Sequence, residues 1–368
     1  MSRVTFWHPA RGLTARSVLS GLAVCLLALP GIAAEETAPR NGDSSTGPQI
    51  LAKLGFGTKG VQRVLAGHLE AAPLAPSLKR ELSLALAFLV DPGAHEMAQK
   101  LDNGLAIRDD PDTISFGEIR GKGSEQDFLA LHLDDKDVER WLHAEAGEGM
   151  NLSSGELAQL DALRKRLGDT QPVTDAVSEV VRNILLARYR AYRASGLAGI
   201  APYQRGRSRV TDAGRELRGA SLASKKLGVF PAAFDEVLLE YPKELPPGLE
   251  EDFYWLQYRA HGERVLMLAH RFSVPEDDYY VSVQRQFYVS RGYNVEQSLS
   301  ALVPSSQGTL VIYTNRTVSD QLEGFGASMR RSIGNKLLAS QLKGLYEKIR
   351  EDVTVSKGKR PDQKRSSN

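Results

Sequence analysis

TLVIYTNRTVSDQLEGFGASMRRSIGNKLL, residues 309–338, changes its period half-way along. The run to Thr317 is rich in β-branched residues, as strands are. Gly324 and Gly326 then permit a bend that a Cβ would resist. An amphipathic helix opens at about Ala327 and runs to about Glu351, with Ile333, Leu337, Leu338, Leu342, Leu345 and Ile349 as one apolar stripe. A strand leading into one long amphipathic helix predicts that the helix covers a sheet. Arg330 and Arg331 stand at its start, where cations oppose the helix dipole, so an acidic neighbour such as Glu323 or a ligand is expected beside them.

Working upstream, DFYWLQYRA (252–260), RVLMLAHRFSV (264–274) and YYVSVQRQFYVS (279–290) read as further strands, separated by short turns that favour antiparallel pairing. All twelve tyrosines fall between Tyr189 and Tyr346. The preceding half reads as mostly helical. SLKRELSLALAFLV (77–90), between Pro76 and Asp91-Pro92-Gly93, is predicted to be a buried helix. Ser153 and Glu156 have capping-box spacing for the helix that follows. Val177, Val180, Val181, Ile184 and Leu185 give a helix after Pro172 its apolar face. TISFGEI (113–119) and DFLALHL (127–133) read as strands, and residues to about 228 as loop plus a short helix. The fold class is therefore α+β, with a helical N-terminal part and a C-terminal antiparallel sheet covered by the long C-terminal helix. The expected divisions are 49–228, mainly helical, and 229–352, sheet plus helix.

The ends carry different signals. Residues 1–34 have Arg3, Arg11 and Arg16, no acid, then SVLSGLAVCLLALPGIAA, which is the layout of a secretory signal peptide. An uncleaved anchor and lipidation at Cys25 are the lesser readings. Residues 35–48 read as a flexible leader and 353–368 as a disordered basic tail. Cleavage removes the single cysteine, leaving neither a disulfide nor a thiol nucleophile. It also leaves 44 Lys plus Arg against 45 Asp plus Glu, a balance that points to no nucleic-acid partner. The expected location is periplasmic or secreted, and the cleaved chain is not an integral membrane protein.

Common chemistries lack their motifs. GFGTKG (55–60) has no strand before it to place its glycines at a phosphate, GEIRGKGS (117–124) lacks a phosphate-loop frame, and no G-x-S-x-G occurs. The histidines have no zinc spacing, and no cofactor or metal is expected. Asp134, Asp135, Asp137 and Glu139 read as the solvated start of a helix. One local imbalance stands out: from Arg182 to Lys226 there are eleven basic residues against Asp212 and Glu216. Arg182, Arg188, Arg190, Arg193, Arg205, Arg207 and Arg209, interleaved with tyrosines, are candidates for docking on an anionic envelope component.

FPAAFDEVLLEYPKELPP (230–247), the strands and the closing helix GASMRRSIGNKLLASQLKGLYEKIRE (326–351) resemble in their order the helix-grip, or START-like, superfamily. That resemblance, over residues 229–352, implies a curved antiparallel sheet around a long C-terminal helix, with a largely apolar cavity between them. QRQFYVSRGYN, IYTNRT and GFGASMRR are similar to segments of secreted bacterial proteins without an assigned activity. Neither likeness carries a catalytic residue. The leading expectation is an envelope protein binding a lipid-like or other apolar small molecule between helix and sheet, anchored by Arg285, Tyr288, Tyr293, Asn315, Arg316, Arg330 and Arg331. Surface docking is the alternative, and hydrolysis a third.

Overall fold

A computed structural model of the chain describes residues 46–90, 112–147, 149–167, 173–229, 231–260, 262–276, 279–323, 329–340, 343, 344 and 347. The elements run in order: α1 Thr46–Lys53, α2 Thr58–Leu65, β1 Glu70–Pro73, β2 Glu81–Val90, β3 Thr113–Glu118, α3 Asp135–Leu142, α4 Ser154–Leu167 and α5 Val173–Ser195. A short hairpin follows, β4 Tyr203–Gln204 and β5 Val210–Thr211, then α6 Ala213–Leu227 and α7 Ala232–Glu240. The long strands are β6 Glu250–Ala260, β7 Glu263–Glu276, β8 Tyr279–Val289, β9 Val295–Ser305 and β10 Gly308–Val318. Residues 329–340 are helical and are called α8 below.

Eight strands form one sheet in the order β1-β2-β10-β9-β8-β7-β6-β3, antiparallel at every pair. The protein is α+β, and the sheet crosses the expected division at residue 228, since β1, β2 and β3 come from the first half. Side chains alternate between two faces, as strand geometry requires. The first face packs against α5: its Val177, Val181, Ile184, Leu185, Tyr189 and Tyr192, at helical spacing, join the same core as Phe253, Leu268, Phe287 and Leu299. The second face carries Leu82, Leu84, Leu86 and Phe88 of β2 with Leu256, Met267, Leu302 and Tyr313, and Leu338 of α8 packs into that cluster.

Several expectations are corrected. Residues 77–90 are not a helix, for their larger part is β2. A strand between two others with both faces covered loses the apolar-polar alternation by which strands are recognised, and a continuous apolar run fits either structure. Residues 127–133 form no strand: Glu125–Phe128 is a 3-10 turn, and Trp255 Nε1 donates to Asp127 O at 2.6 Å across it. The supposed leader is helical from Thr46, and α6 is a full helix. The Ser153–Glu156 capping box is present, with Ser153 N donating to Glu156 Oε2 at 2.7 Å. Asp134 and Asp137 cap α3, so those acids serve the helix start. The expected signal peptide, the expected basic tail and the end of the predicted terminal helix, with Leu342, Leu345 and Ile349, lie outside the described residues. Among those described, no helix is long and apolar enough to cross a membrane.

Candidate functional site

The second face of the sheet changes character in its middle. Across β6, β7, β8, β9 and β10, three consecutive rungs read Glu250–Ser273–Ser282–Ser300–Tyr313, Asp252–Arg271–Gln284–Ser298–Asn315 and Tyr254–Ala269–Gln286–Glu296–Thr317. Every position except Ala269 carries a polar atom. The rungs continue onto β2 as Leu86, Leu84 and Leu82, so polar and apolar surface meet along each of them. The local cause is a period of two: Ser282, Gln284 and Gln286 on β8, and Glu296, Ser298 and Ser300 on β9, each alternate with residues of the first face.

Buried polar groups carry a desolvation cost unless they are bonded, and part of this band satisfies itself. Gln286 Nε2 donates to Glu296 Oε1 at 3.1 Å, and Tyr293 OH donates to Gln286 Oε1. Asn315 Nδ2 donates to Tyr313 OH at 3.2 Å. Thr317 Oγ1 lies 2.8 Å from Asn315 Oδ1 and 3.2 Å from Glu296 Oε2. Arg271 Nη2 donates to Asp252 Oδ2 at 2.8 Å. The serines differ. Ser273 Oγ is sealed without a hydrogen-bond partner. Ser282, Ser298 and Ser300, whose hydroxyls bond nothing among the described residues, keep 5%, 2% and 3% of their surface open. Strands flank all three on both sides. A space of at least water size therefore borders these hydroxyls.

The described turns of α8 lie at the β2 side of this band. Asn335 Oδ1 accepts from Ser83 N at 3.1 Å, next to where β1 ends at Pro73, and a Cβ on Gly334 would meet Leu82 Cδ2 at 2.9 Å. The entry to α8 is clasped by one guanidinium. Arg80 reaches Glu216 Oε1 at 2.7 Å, Asp320 Oδ1 at 3.1 Å and Glu323 Oε1 at 2.6 Å. Asp320 is also held by Arg205 Nε at 2.7 Å and Thr211 Oγ1 at 2.8 Å, and Asn294 Nδ2 donates to Glu216 Oε1 at 3.1 Å.

Burial pushes Glu216 from its ordinary 4.5 up to about 7, outweighing Arg80. A carboxyl whose pKa is higher folded than unfolded stabilises the protein while protonated, so this contribution is lost as pH rises from about 4.5 to 7. Glu216→Gln, which keeps the shape without the charge, should gain about 1–3 kcal/mol over the parent near pH ~8 and almost nothing near pH ~4.5. Urea unfolding at both pH values measures this, and an equal gain at both would refute the buried-charge account.

The first face holds a different polar group. His270 Nε2 lies 3.0 Å from Glu251 Oε2, and its Nδ1 lies 3.1 Å from Tyr192 OH. Its ring stacks on Phe253 at 3.9 Å. Burial lowers the imidazole to about 4 despite the carboxylate. A neutral imidazole with no exposed surface joins α5 to β6 and β7; it has no opening for a substrate. Arg285, also without exposed surface, donates to Ser221 Oγ at 2.8 Å, Leu238 O and Gln297 Oε1 at 3.2 Å. The C-terminal carbonyls of α7 supply part of its counter-charge.

The residues expected to anchor a ligand are thus divided. Tyr293 and Asn315 reach the second face. Arg285, Tyr288 and Arg316 point to the first, where Arg188 lies 4.1 Å over the Tyr288 ring and Arg316 bonds Glu81 at 2.6 Å. Arg330 and Arg331, at the start of α8, donate to Glu323 O and Lys79 O. Of the basic segment, Arg188, Arg193 and Arg205 pair with Glu156, Glu251 and Asp320, and Arg190 bonds Lys122 O and Gly123 O. Arg182 is half-buried, whereas Arg207 and Arg209 are exposed. Sequence reasoning missed Ser282, Gln284, Gln286, Glu296, Ser298 and Ser300, although polar residues at i, i+2 and i+4 on two consecutive runs were the available signal. No protein-family model, curated protein or solved structure matches the chain.

Proposed function

We propose that this is an exported binding protein of the cell envelope, taking an amphipathic small molecule on the second face of the sheet beside α8. The observation that carries this reading is the buried polar band with open serine hydroxyls at its centre. A face that needed only to pack would repeat the leucines of β2 across the sheet, because a buried hydroxyl without a partner costs about 1–3 kcal/mol. A bound molecule supplies such partners. Its apolar part would lie along Leu84, Leu86 and Phe88, and its polar part across β8 and β9. Binding pockets combine these two surfaces in the same way, mostly apolar with a few placed polar groups. Export rests on the basic-then-apolar layout of residues 1–34 in the sequence.

Native mass spectrometry of protein purified from a periplasmic extract tests the reading. The parent should carry an adduct of small-molecule mass, and Ser298→Leu with Ser300→Leu, which fills the space, should lose it while keeping the circular dichroism of the fold. A clean apo mass from the parent under gentle ionisation would count against the proposal. So would an adduct that survives the filled face.

A further inference from the structure

We infer that the outward side of α6 docks on a bilayer of anionic phospholipid. This surface is separate from the polar band, because Ala213 and Leu217 of α6 belong to the core on the first face of the sheet. The buried side of the helix, Ala213, Leu217, Ala220, Ser221 and Ser224, fixes its rotation and turns Arg215, Arg218, Leu222, Lys225 and Lys226 to solvent. Those outward side chains stand within roughly 100° of arc on a helix of about 3.6 residues per turn. Lys53, at the end of α1, brings a further ammonium beside them, donating to Gly228 O at 3.1 Å.

A face that needs only hydration mixes both signs of charge. Here the exposed acid is Asp212, which is spent on the N-cap, accepting from Arg215 N at 2.9 Å. Arg188, Arg193 and Arg205 each have a carboxylate partner, but Arg215, Arg218, Lys225 and Lys226 form no ion pair among the described residues. Arg218 donates to Leu239 O at 3.3 Å, and Lys225 offsets just part of the burial that raises the Asp235 carboxyl on α7. The helix dipole favours Lys225 and Lys226 in the last turn, yet it opposes Arg215 in the first. Leu222, 44% exposed among these cations, decides the kind of anion. A phosphate backbone gives a leucine nothing to pack on, whereas a bilayer takes cations at its headgroups and an apolar side chain at the acyl boundary. The aliphatic stems of Lys and Arg widen that apolar contact.

Co-sedimentation of the protein purified from a periplasmic extract with sucrose-loaded vesicles tests this, using phosphatidylcholine alone or mixed with phosphatidylglycerol. At low salt the protein should bind the anionic vesicles at least about tenfold more tightly than the neutral ones, and high salt should remove most of that preference. Arg215→Gln with Arg218→Gln should weaken the binding about tenfold or more at low salt, with unchanged circular dichroism, since Gln suits the first turn of a helix. If that pair fails to fold, Lys225→Gln with Lys226→Gln replaces it, with the same loss expected. Leu222→Ala should weaken binding about two- to fivefold at either salt concentration. Lys136→Gln with Arg166→Gln removes the same charge from exposed positions on α3 and α4, and an equal loss there would overturn the assignment to α6. No preference for anionic vesicles, or tighter binding to duplex DNA than to them, would overturn the bilayer as partner. None of these outcomes bears on the small-molecule reading, which the adduct mass decides.

Discussion

Replacing Arg316 by alanine is expected to remove about 3–5 kcal/mol of unfolding free energy. Arg316 Nη1 donates to Glu81 Oε1 at 2.6 Å and to Ala75 O at 3.1 Å, and the two side chains are 2% and 0% exposed. Glu81 is also the hub of the turn before β2, accepting from Ser77 N at 2.6 Å and Leu78 N at 3.2 Å. Truncation leaves that carboxylate buried without its cation, and loosens the turn joining β1 to β2. The loss should be read from urea denaturation midpoints. Arg316→Met combined with Glu81→Gln should recover part of it, because removing both charges removes the desolvation cost of each. A loss below about 1 kcal/mol in the alanine variant would place it with exposed pairs and reject this account.

Arg188→Ala should be comparably severe, at about 3–5 kcal/mol. From α5 the guanidinium reaches Glu156 Oε2 at 2.6 Å, and it lies 4.1 Å over the Tyr288 ring and 5.4 Å from that of Tyr203. One side chain thereby joins α4, α5, the β4–β5 hairpin and β8. The loss should change little between low and high salt, since buried pairs are weakly screened. A surface-docking arginine behaves otherwise, leaving stability intact and weakening adhesion to anionic vesicles at low salt. Unchanged stability with lost vesicle binding would return Arg188 to a docking role. Arg207→Ala with Arg209→Ala, both exposed, provides the comparison.

The two buried arginines show why the candidate site was only partly legible. In sequence, Arg188 and Arg316 resemble Arg207, because a charge reads as solvated until its partner is known. The partners are remote: Glu156 lies on another helix and Glu81 on β2. Strand β9 was missed for a related reason. Gln297, polar and fully buried on its first face, interrupts the apolar alternation of Val295, Leu299 and Ala301, while its second-face residues Glu296, Ser298 and Ser300 are polar yet buried. The same residues form the centre of the proposed site. A strand that violates the apolar pattern where it is fully enclosed is a place where function competes with packing.

The amino-acid sequence by itself determined what depends on neighbours along the chain: the capping box at Ser153, the acid-rich helix start at Asp134, the apolar face of α5, the antiparallel succession of β6, β7 and β8, the strand β10, and the switch to a helix after β10. These follow from periods of 3.6 and 2 and from side chains bonding backbone three residues away. Only the tertiary structure decided that residues 81–90 are a central strand, that β1 to β3 complete the sheet, which arginines are paired inside, and that three polar rungs line up across five strands. Those outcomes depend on register between segments far apart in the chain. A slip of one residue in any strand would send its polar side chains to the opposite face.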